Sequence, residues 1–571
     1  MRSWIADDPD PADRAELSAM LDADDLAALA ERFAEPLTFG TAGIRGPLGA
    51  GPARMNRATV RRVAAGLAGY LRTAVPEAAT RPVVIGFDAR RGSGPFATEA
   101  AAVLTGVGLR VLSFGGPVPT PVLAFAVRHL RAAAGVMITA SHNPREDNGV
   151  KVYWSDGAQI IAPVDVGIAA AAAQAGPLRD VPLGGPGQPV GPDLIDAYLD
   201  AVVPAALPAG RPPGPPAAGR RALRVAYTPL HGVGLATVRR AFARAGFAEP
   251  AVAAAQAEPD GAFPTLPKPN PEEPGALDLL MAEGAGADLL LANDPDADRL
   301  AAVIPGAAGW RVLTGDEIGA LLADHLLRRE PRPERCLLVT TVVSADILSR
   351  MAAAAGAGFA ETLTGFKWIM RAADAAPGRR FRFGYEEALG YAVTGLVRDK
   401  DGISAAVTLA DAAAEARHEG GSLASRLDDL ARRFGLFATG QFSVGLAGGL
   451  AGGLAAGAGA GAALLEAARA RPPISLLGEP VAVIDDLGLG LRSREDGTKD
   501  PLALPRSDVI IWRCADGTRV ALRPSGTEPK VKIYLQVVLP AEGRDDLAPL
   551  RAQAARRLAE LRDDVTEVLS L

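Results

Sequence analysis

Residues 139–154 read TASHNPREDNGVKVYW and follow the apolar run AGVMI at 134–138. An apolar strand entering a polar loop is the pattern found at the carboxyl end of a strand in α/β proteins, where active sites gather. The loop places Ser141 and His142 among Asn143, Asn148 and Gly149, residues that suit tight polar turns. A plain turn needs only two or three such residues. A serine on such a loop can act as a nucleophile or carry a phosphoryl group, and Lys151 can neutralise an anion or move a proton. No G-x-S-x-G elbow surrounds the serine, which argues against a serine hydrolase.

Outward from this stretch the chain alternates strands and helices. PVVIGFDAR (82–90) reads as a buried strand ending in a loop, and ATVRRVAAGLAGYLRTAV (58–75) has helical periodicity. A second α/β pattern runs from RVAYTPLHGVG (224–234) to ADLLLAND (287–294), and a third from TGDEIGALLADHLL (314–327) to FRFGYEEALGY (381–391). Such alternation implies βαβ units and a mainly parallel sheet. The last block, about 473–571, reads as consecutive strands closed by the helix DDLAPLRAQAARRLAEL, an α+β unit. PAALPAGRPPGPPAAG (204–219) looks like a linker, and a Gly/Ala tract precedes the last block. The expected division is 1–205, 206–313, 314–440, a connector at 441–472, and 473–571.

Bulk properties agree. At about 150 residues per domain, 571 residues suggest three to five domains. A net charge of −6 gives no global pull towards nucleic acid or an anionic membrane, so neither is an expected partner. Two distant cysteines, Cys336 and Cys514, fit a reducing, cytoplasmic setting rather than a disulfide framework. The acidic N-terminal stretch has no apolar core of a signal peptide. The uncharged run from Gln441 to Leu465 has few large apolar residues and reads as flexible or weakly helical, not as a membrane span.

Three further loops sit at strand ends. NDPDADR (293–299) alternates Asp294, Asp296 and Asp298, carboxylates that repel unless a cation or protons offset them. All-oxygen ligands suit a hard cation, Mg²⁺ or Ca²⁺. Arg299 and Pro305 stand where an EF-hand loop needs glycine and glutamate, which excludes that motif. In GYEEALGY (384–391), Glu386 and Glu387 can accept hydrogen bonds from sugar hydroxyls. In RPSGTEPK (523–530), Arg523, Ser525, Gly526 and Thr527 supply a guanidinium, hydroxyls and backbone N–H groups, a phosphate cradle in principle. FGTAGIRG (39–46) adds Arg45 and TGFKWI (364–369) adds Lys367. One reaction uses all of these: moving a phosphoryl group between two oxygens of a sugar.

The loops TASHNP, DPDADR, GYEEALGY and RPSGTEPK, in this order, resemble those of the α-D-phosphohexomutase superfamily. TPLHGVG, TGFKWI and RDKDG are most similar to the phosphoglucomutase/phosphomannomutase branch that includes phosphopentomutase. The resemblance implies an α/β protein of four domains around a central cleft, three related mixed α/β sandwich domains and a C-terminal α+β domain. It implies that Ser141 is phosphorylated and completes the coordination of Mg²⁺ held by Asp294, Asp296 and Asp298. A sugar 1,6-bisphosphate would serve as intermediate and activator. By the same match Lys151 is the general acid/base, and Arg45, Arg299 and His142 line the site. Glu386 reads sugar hydroxyls, and Arg523, Ser525, Gly526 and Thr527 hold the non-transferring phosphate.

Two departures bear on the sugar. Ala388 stands where many hexose mutases have a serine, and Gly390–Tyr391 replace the loop histidine of the hexosamine and mannose enzymes. The expected activity is interconversion of glucose 1- and 6-phosphate, with mannose phosphates as further substrates, by a monomer or small homo-oligomer. The alternatives are a phosphopentomutase, a sugar-bisphosphate synthase and a silent phosphosugar-binding protein. The intact serine, aspartates and lysine argue against the last.

Overall fold

The computed structural model describes residues 1–40, 43–207, 217–307, 309–445, 461–524 and 530–569. The chain forms two compact units. One comprises Met1–Leu313, Arg328–Pro331 and Phe381–Gly420; the other comprises Thr314–Leu327, Arg332–Arg380 and Gly421–Leu571.

The first unit holds two mixed sheets. In the six-stranded sheet the spatial order is Ile44–Pro47, Asp147–Trp154, Ala134–Ile138, Val83–Phe87, Val111–Ser113, Gln188–Pro189. Val83–Phe87 runs parallel to its neighbours Ala134–Ile138 and Val111–Ser113, as the alternating pattern predicts. Asp147–Trp154 turns back antiparallel, with Ile138 opposite Val150. The reason is chain length. Residues 139–146 are too few to form a crossover, which takes a dozen or more residues, so the strand can only return as a hairpin. The helix Arg57–Ala74 starts where the Asn56 side chain accepts the Thr59 N–H at 2.8 Å. Its Val60, Val63, Ala64, Leu67 and Leu71 recur at three- and four-residue spacing and pack on Val83, Ile85, Val136 and Val150 of the sheet.

The second sheet has the order Gly309–Val312, Ala301–Gly306, Leu289–Ala292, Val225–Thr228, Ala251–Val252. Leu289–Ala292 is parallel to Val225–Thr228 and antiparallel to Ala301–Gly306. The hairpin Arg380–Glu386 and Gly390–Ala392 pairs Glu386 with Gly390.

In the second unit Cys336–Thr341 pairs in parallel with Gly358–Thr362. A largely antiparallel C-terminal sheet runs in the order Leu436–Gly445, Lys530–Leu539, Arg519–Pro524, Ile510–Cys514, Glu479–Asp486, Leu491–Arg494, Lys499–Pro501. The helix Ala548–Val568 covers it through Leu550, Ala554, Leu561 and Val565, which share a core with Trp512 and Ile533.

Gln441–Gly445, expected to belong to a connector, form the end of the strand Leu436–Gly445, paired residue by residue with Lys530–Leu539. The rest of the Gly/Ala tract up to residue 460 lies outside the described residues, and residues 461–470 are helical. The linker read at 204–219 begins inside the helix Leu194–Ala206 and ends inside Ala217–Ala222; residues 208–216 are outside the described set. Among the described residues, no helix is long and apolar enough to cross a membrane.

Near the N-terminus, burial and the neighbouring charges of Asp8, Asp10 and Glu16 push Asp13 up to about 7. A carboxyl that titrates higher in the folded than in the unfolded chain favours folding while protonated. Stability therefore falls as pH rises from about 4 through 7. Asp13→Asn removes that loss: its Tm should exceed wild type at pH 8 and match it near pH 4, read by thermal denaturation at both pH values.

Candidate active site

The site is assembled in the first unit from three hairpin loops. Ser141 follows Ala134–Ile138 and is almost wholly buried, with φ +54. Its Oγ donates to Asp294 Oδ2 at 2.8 Å and lies 3.2 Å from His142 Nδ1. Gly149 is required on the returning strand. A Cβ there would come 2.5 Å from the Ile44 carbonyl oxygen and 2.8 Å from Arg45 Cγ. Ile44–Pro47 pairs at this point, Arg45 opposite Gly149. Arg45 Nε is buried and without a hydrogen-bond partner among the described residues. Two residues on, Lys151 reaches Asp296 Oδ2 at 2.6 Å and Asp298 Oδ2 at 2.9 Å.

The three aspartates occupy the loop between Leu289–Ala292 and Ala301–Gly306 and are buried to 0% exposure. Each can offer an oxygen within 4.8 Å of the others. Thr120 braces the loop, its Oγ1 donating to Asp296 Oδ2 at 2.5 Å and its N–H to the Asp296 carbonyl at 2.9 Å. The Arg299 N–H donates to Asp294 Oδ1 at 2.9 Å, and its guanidinium donates to the Ala388 carbonyl. Leu300 N–H reaches the Leu389 carbonyl at 3.0 Å, which joins the aspartate loop to the glutamate loop. Glu386 is buried there. Gly390 opposite it has no room for a Cβ, which would meet the Lys400 and Glu386 side chains at 2.5 and 3.0 Å. Lys400 Nζ stands 3.0 Å from Asp298 Oδ2 and 3.2 Å from Asp399 Oδ1.

Burial and the charges of Asp298 and Asp296 push the Asp294 carboxyl well above the usual aspartate range. Burial also disfavours a charged lysine. At Lys151 the pull of Asp296 and Asp298 outweighs burial and raises the pKa; at Lys400 that of Asp298 and Asp399 does the same. Both lysines are ammonium ions at neutral pH. His142 is held neutral by desolvation and by the nearby Arg299 and Arg45.

The donor set fits a hard divalent cation. It is all oxygen. Asp296 Oδ1 and Asp298 Oδ1 are buried and accept no hydrogen bond among the described residues. Burial and the neighbouring Asp298 and Asp296 favour the protonated form of Asp294, and a cation bound among the three carboxylates would oppose both effects.

Ser141, His142, Lys151, Arg45, the three aspartates, Arg299 and Glu386, with Glu387 next to it on the hairpin, all belong to the first unit. Lys367, on the helix Phe366–Asp374, and Arg523, on the strand Arg519–Pro524, belong to the second. Ser525, Gly526 and Thr527 lie outside the described residues, as do Thr41 and Ala42. Lys400, Thr120 and Arg90 join the site from outside the four loops that the sequence marks. The first stands in RDKDG, a run of charge beside glycine that is itself a signal; Thr120 carries none.

Three models of the phosphoglucomutase/phosphomannomutase family match this chain: alpha/beta/alpha domain I at residues 36–178, domain II at 197–307 and domain III at 314–434. The chain is 37% identical over 524 residues to "Probable phosphomannomutase" of Haemophilus influenzae, covering 90% of this chain and 98% of the relative. It is 33% identical over 577 residues to a phosphopentomutase of Mus musculus, covering 95% and 90%. The Paramecium phosphoprotein parafusin, a phosphoglucomutase, in its open form shares the fold, with TM-score 0.67 at 16% identity over 94% of this chain and 96% of that one. The chain belongs to the α-D-phosphohexomutase superfamily, in its phosphoglucomutase/phosphomannomutase family. It is a phosphomutase, an isomerase that works by phosphoryl transfer.

If the aspartates hold a divalent cation in the folded state only, millimolar Mg²⁺ should raise the Tm. Cation at a hundredfold excess over Kd is worth about 2.7 kcal/mol. Asp298→Asn should abolish most of the shift, read by calorimetry with and without chelator.

Proposed function

We propose that this phosphomutase interconverts glucose 1-phosphate and glucose 6-phosphate, accepting mannose phosphates as well, through a phosphoserine at Ser141. The observation that carries the reading is the placement of Ser141 Oγ, 2.8 Å from Asp294 Oδ2, in a buried three-aspartate cluster bounded by Lys151. A nucleophile that must bear a dianion needs compensating charge close by and water kept out.

Asp294, Asp296 and Asp298, with the Ser141 phosphate, would hold Mg²⁺, which supplies charge neutralisation for the transferring group. As the Oγ–P bond of phosphoserine breaks, a P–O bond forms to a sugar hydroxyl oxygen. Lys151, held as ammonium, gives its proton to Oγ and recovers one from that hydroxyl. The sugar bisphosphate so formed returns its other phosphoryl group to Ser141 by the reverse step. Arg45 and Arg299 offer half-buried guanidinium groups for phosphoryl oxygens. Neutral His142 stands beside the serine hydroxyl, its Nδ1 3.2 Å from Oγ. Glu386 and Glu387 would orient the sugar hydroxyls. By the family resemblance, Arg523, Ser525, Gly526 and Thr527 would hold the substrate's other phosphate, and Lys367 would be a further substrate-binding residue.

A second reading changes only the sugar: ribose or deoxyribose 1- and 5-phosphates. It is favoured by the likeness to the mouse phosphopentomutase and by Ala388, which offers the guanidinium of Arg299 a carbonyl but gives a sugar no side-chain hydroxyl.

With Mg²⁺ and trace glucose 1,6-bisphosphate, wild type should convert glucose 1-phosphate, and Ser141→Ala should lose turnover by a factor of about 10⁴ or more. A coupled assay on both 1-phosphates gives the ratio of kcat/KM. A strong preference for ribose 1-phosphate would replace glucose as substrate, and unchanged turnover in Ser141→Ala would end the phosphoserine mechanism.

A further inference from the structure

The turn after the strand Val83–Phe87 carries residues that the proposed chemistry leaves without a task. Arg90 is 3% exposed. Its guanidinium donates to four main-chain carbonyls of the serine loop: Ser141 at 2.7 Å, Asn143 at 2.6 Å, Pro144 at 2.7 Å and Asp147 at 2.9 Å. It also packs over the Phe263 ring, 5.1 Å from the centroid.

Asp88, two residues earlier, completes the mount. It accepts from the Arg90 N–H at 2.9 Å, from Ser93 Oγ at 2.7 Å and from Thr139 Oγ1 at 2.6 Å. Thr139 Oγ1 in turn accepts the Ser141 N–H at 2.8 Å. Both main-chain polar groups of Ser141 are therefore held from one turn, the N–H through Thr139 and the C=O by Arg90.

Burying a guanidinium is costly, and an apolar side chain would fill the same space without that cost. What only arginine offers is a rigid fork of five donors. Here the fork spans carbonyls of a single seven-residue stretch, 141–147. That stretch needs holding. Ser141 has φ +54, a left-handed conformation that persists in a non-glycine residue only where its surroundings fix it.

We infer that Arg90 is a positioning residue of the phosphoryl-transfer site, holding the serine loop so that Ser141 Oγ faces the aspartate cluster whether it carries a proton or a phosphate. The inference rests on the phosphoserine reading. In the priming step a sugar bisphosphate loses one P–O bond, the Oγ–P bond forms, and the Oγ proton ends on the sugar oxygen. The charge on Ser141 thus changes by about two units within a site of fixed carboxylates. A loop without the clamp would move in response; the four carbonyl contacts keep its path the same in both states. Arg90 touches neither the reacting oxygen nor the substrate's phosphate in this account.

The test uses the full chain as wild type, Arg90→Lys and Arg90→Ala. Intact mass after incubation with glucose 1,6-bisphosphate and Mg²⁺ follows the rate of Ser141 phosphorylation. Steady-state assays give kcat and KM, and thermal denaturation gives Tm. Arg90→Lys keeps the charge and loses the fork. It should be primed and turn over about a hundredfold more slowly than wild type, with KM for the sugar monophosphate within about threefold. Free guanidinium ion should restore part of the rate of Arg90→Ala. If Arg90→Ala does not fold, Arg90→Lys decides alone. Wild-type priming and kcat in a folded Arg90→Lys overturn the inference. So does a loss of rate that merely follows a loss of folded protein. Wild type that takes no phosphate on Ser141 removes the phosphoserine reading itself, and is told apart because the failure precedes any change at Arg90.

Discussion

The mutual repulsion of Asp294, Asp296 and Asp298 is the constraint to which the neighbouring loops answer. Their oxygens can approach within 4.8 Å in a setting with no water contact. Two like charges at about 4 Å cost about 4 kcal/mol at an effective dielectric of about 20. Three such pairs exceed the net stability of many domains unless cations face them. The chain supplies those cations from different loops: Lys151 from the strand after the serine, Arg299 from the end of the aspartate loop, Lys400 from beyond the glutamate hairpin. The carboxylates hold both lysines charged, while burial and the two neighbouring aspartates push Asp294 towards protonation.

The parts of this arrangement legible in sequence were those encoded locally. An apolar run followed at once by several special polar residues marks a strand end, which found Ser141 and the aspartate loop. The alternation of strand and helix gave the α/β blocks, and consecutive strands gave the C-terminal sheet. What stayed hidden depends on contacts between distant segments. Thr120 meets Asp296 across 176 positions, and Arg90 meets the serine loop across 51 or more. Neither has a pattern of its own; an arginine in FDAR and a threonine in PVPTPV look like surface residues until the sheet brings their partners near.

The parallel-sheet expectation also missed a shared device. Each of the three loops in the first unit joins antiparallel strands at an otherwise partly parallel sheet or hairpin: 139–146, 293–300 and 387–389. Each also carries one non-glycine residue in the left-handed region, Ser141 at +54°, Ala297 at +56° and Leu389 at +62°. Such a residue reverses the chain within few positions. A short reversal pinned at both ends by strand pairing is a stiffer mount than a long crossover loop, as suits a site whose groups must keep their places.

That mounting limits how such a chain can change its length. Side chains along Asp147–Trp154 alternate between the two faces of the sheet, and the register is locked by Met137 opposite Lys151 and Arg45 opposite Gly149. Losing or gaining one residue between Asp147 and Lys151, inside the paired strand, would either break that register or send the lysine to the opposite face and a valine into the charged cluster. Changes of length on this hairpin are therefore confined to the loop 142–146, outside the paired strand, where the carbonyls held by Arg90 limit them in turn.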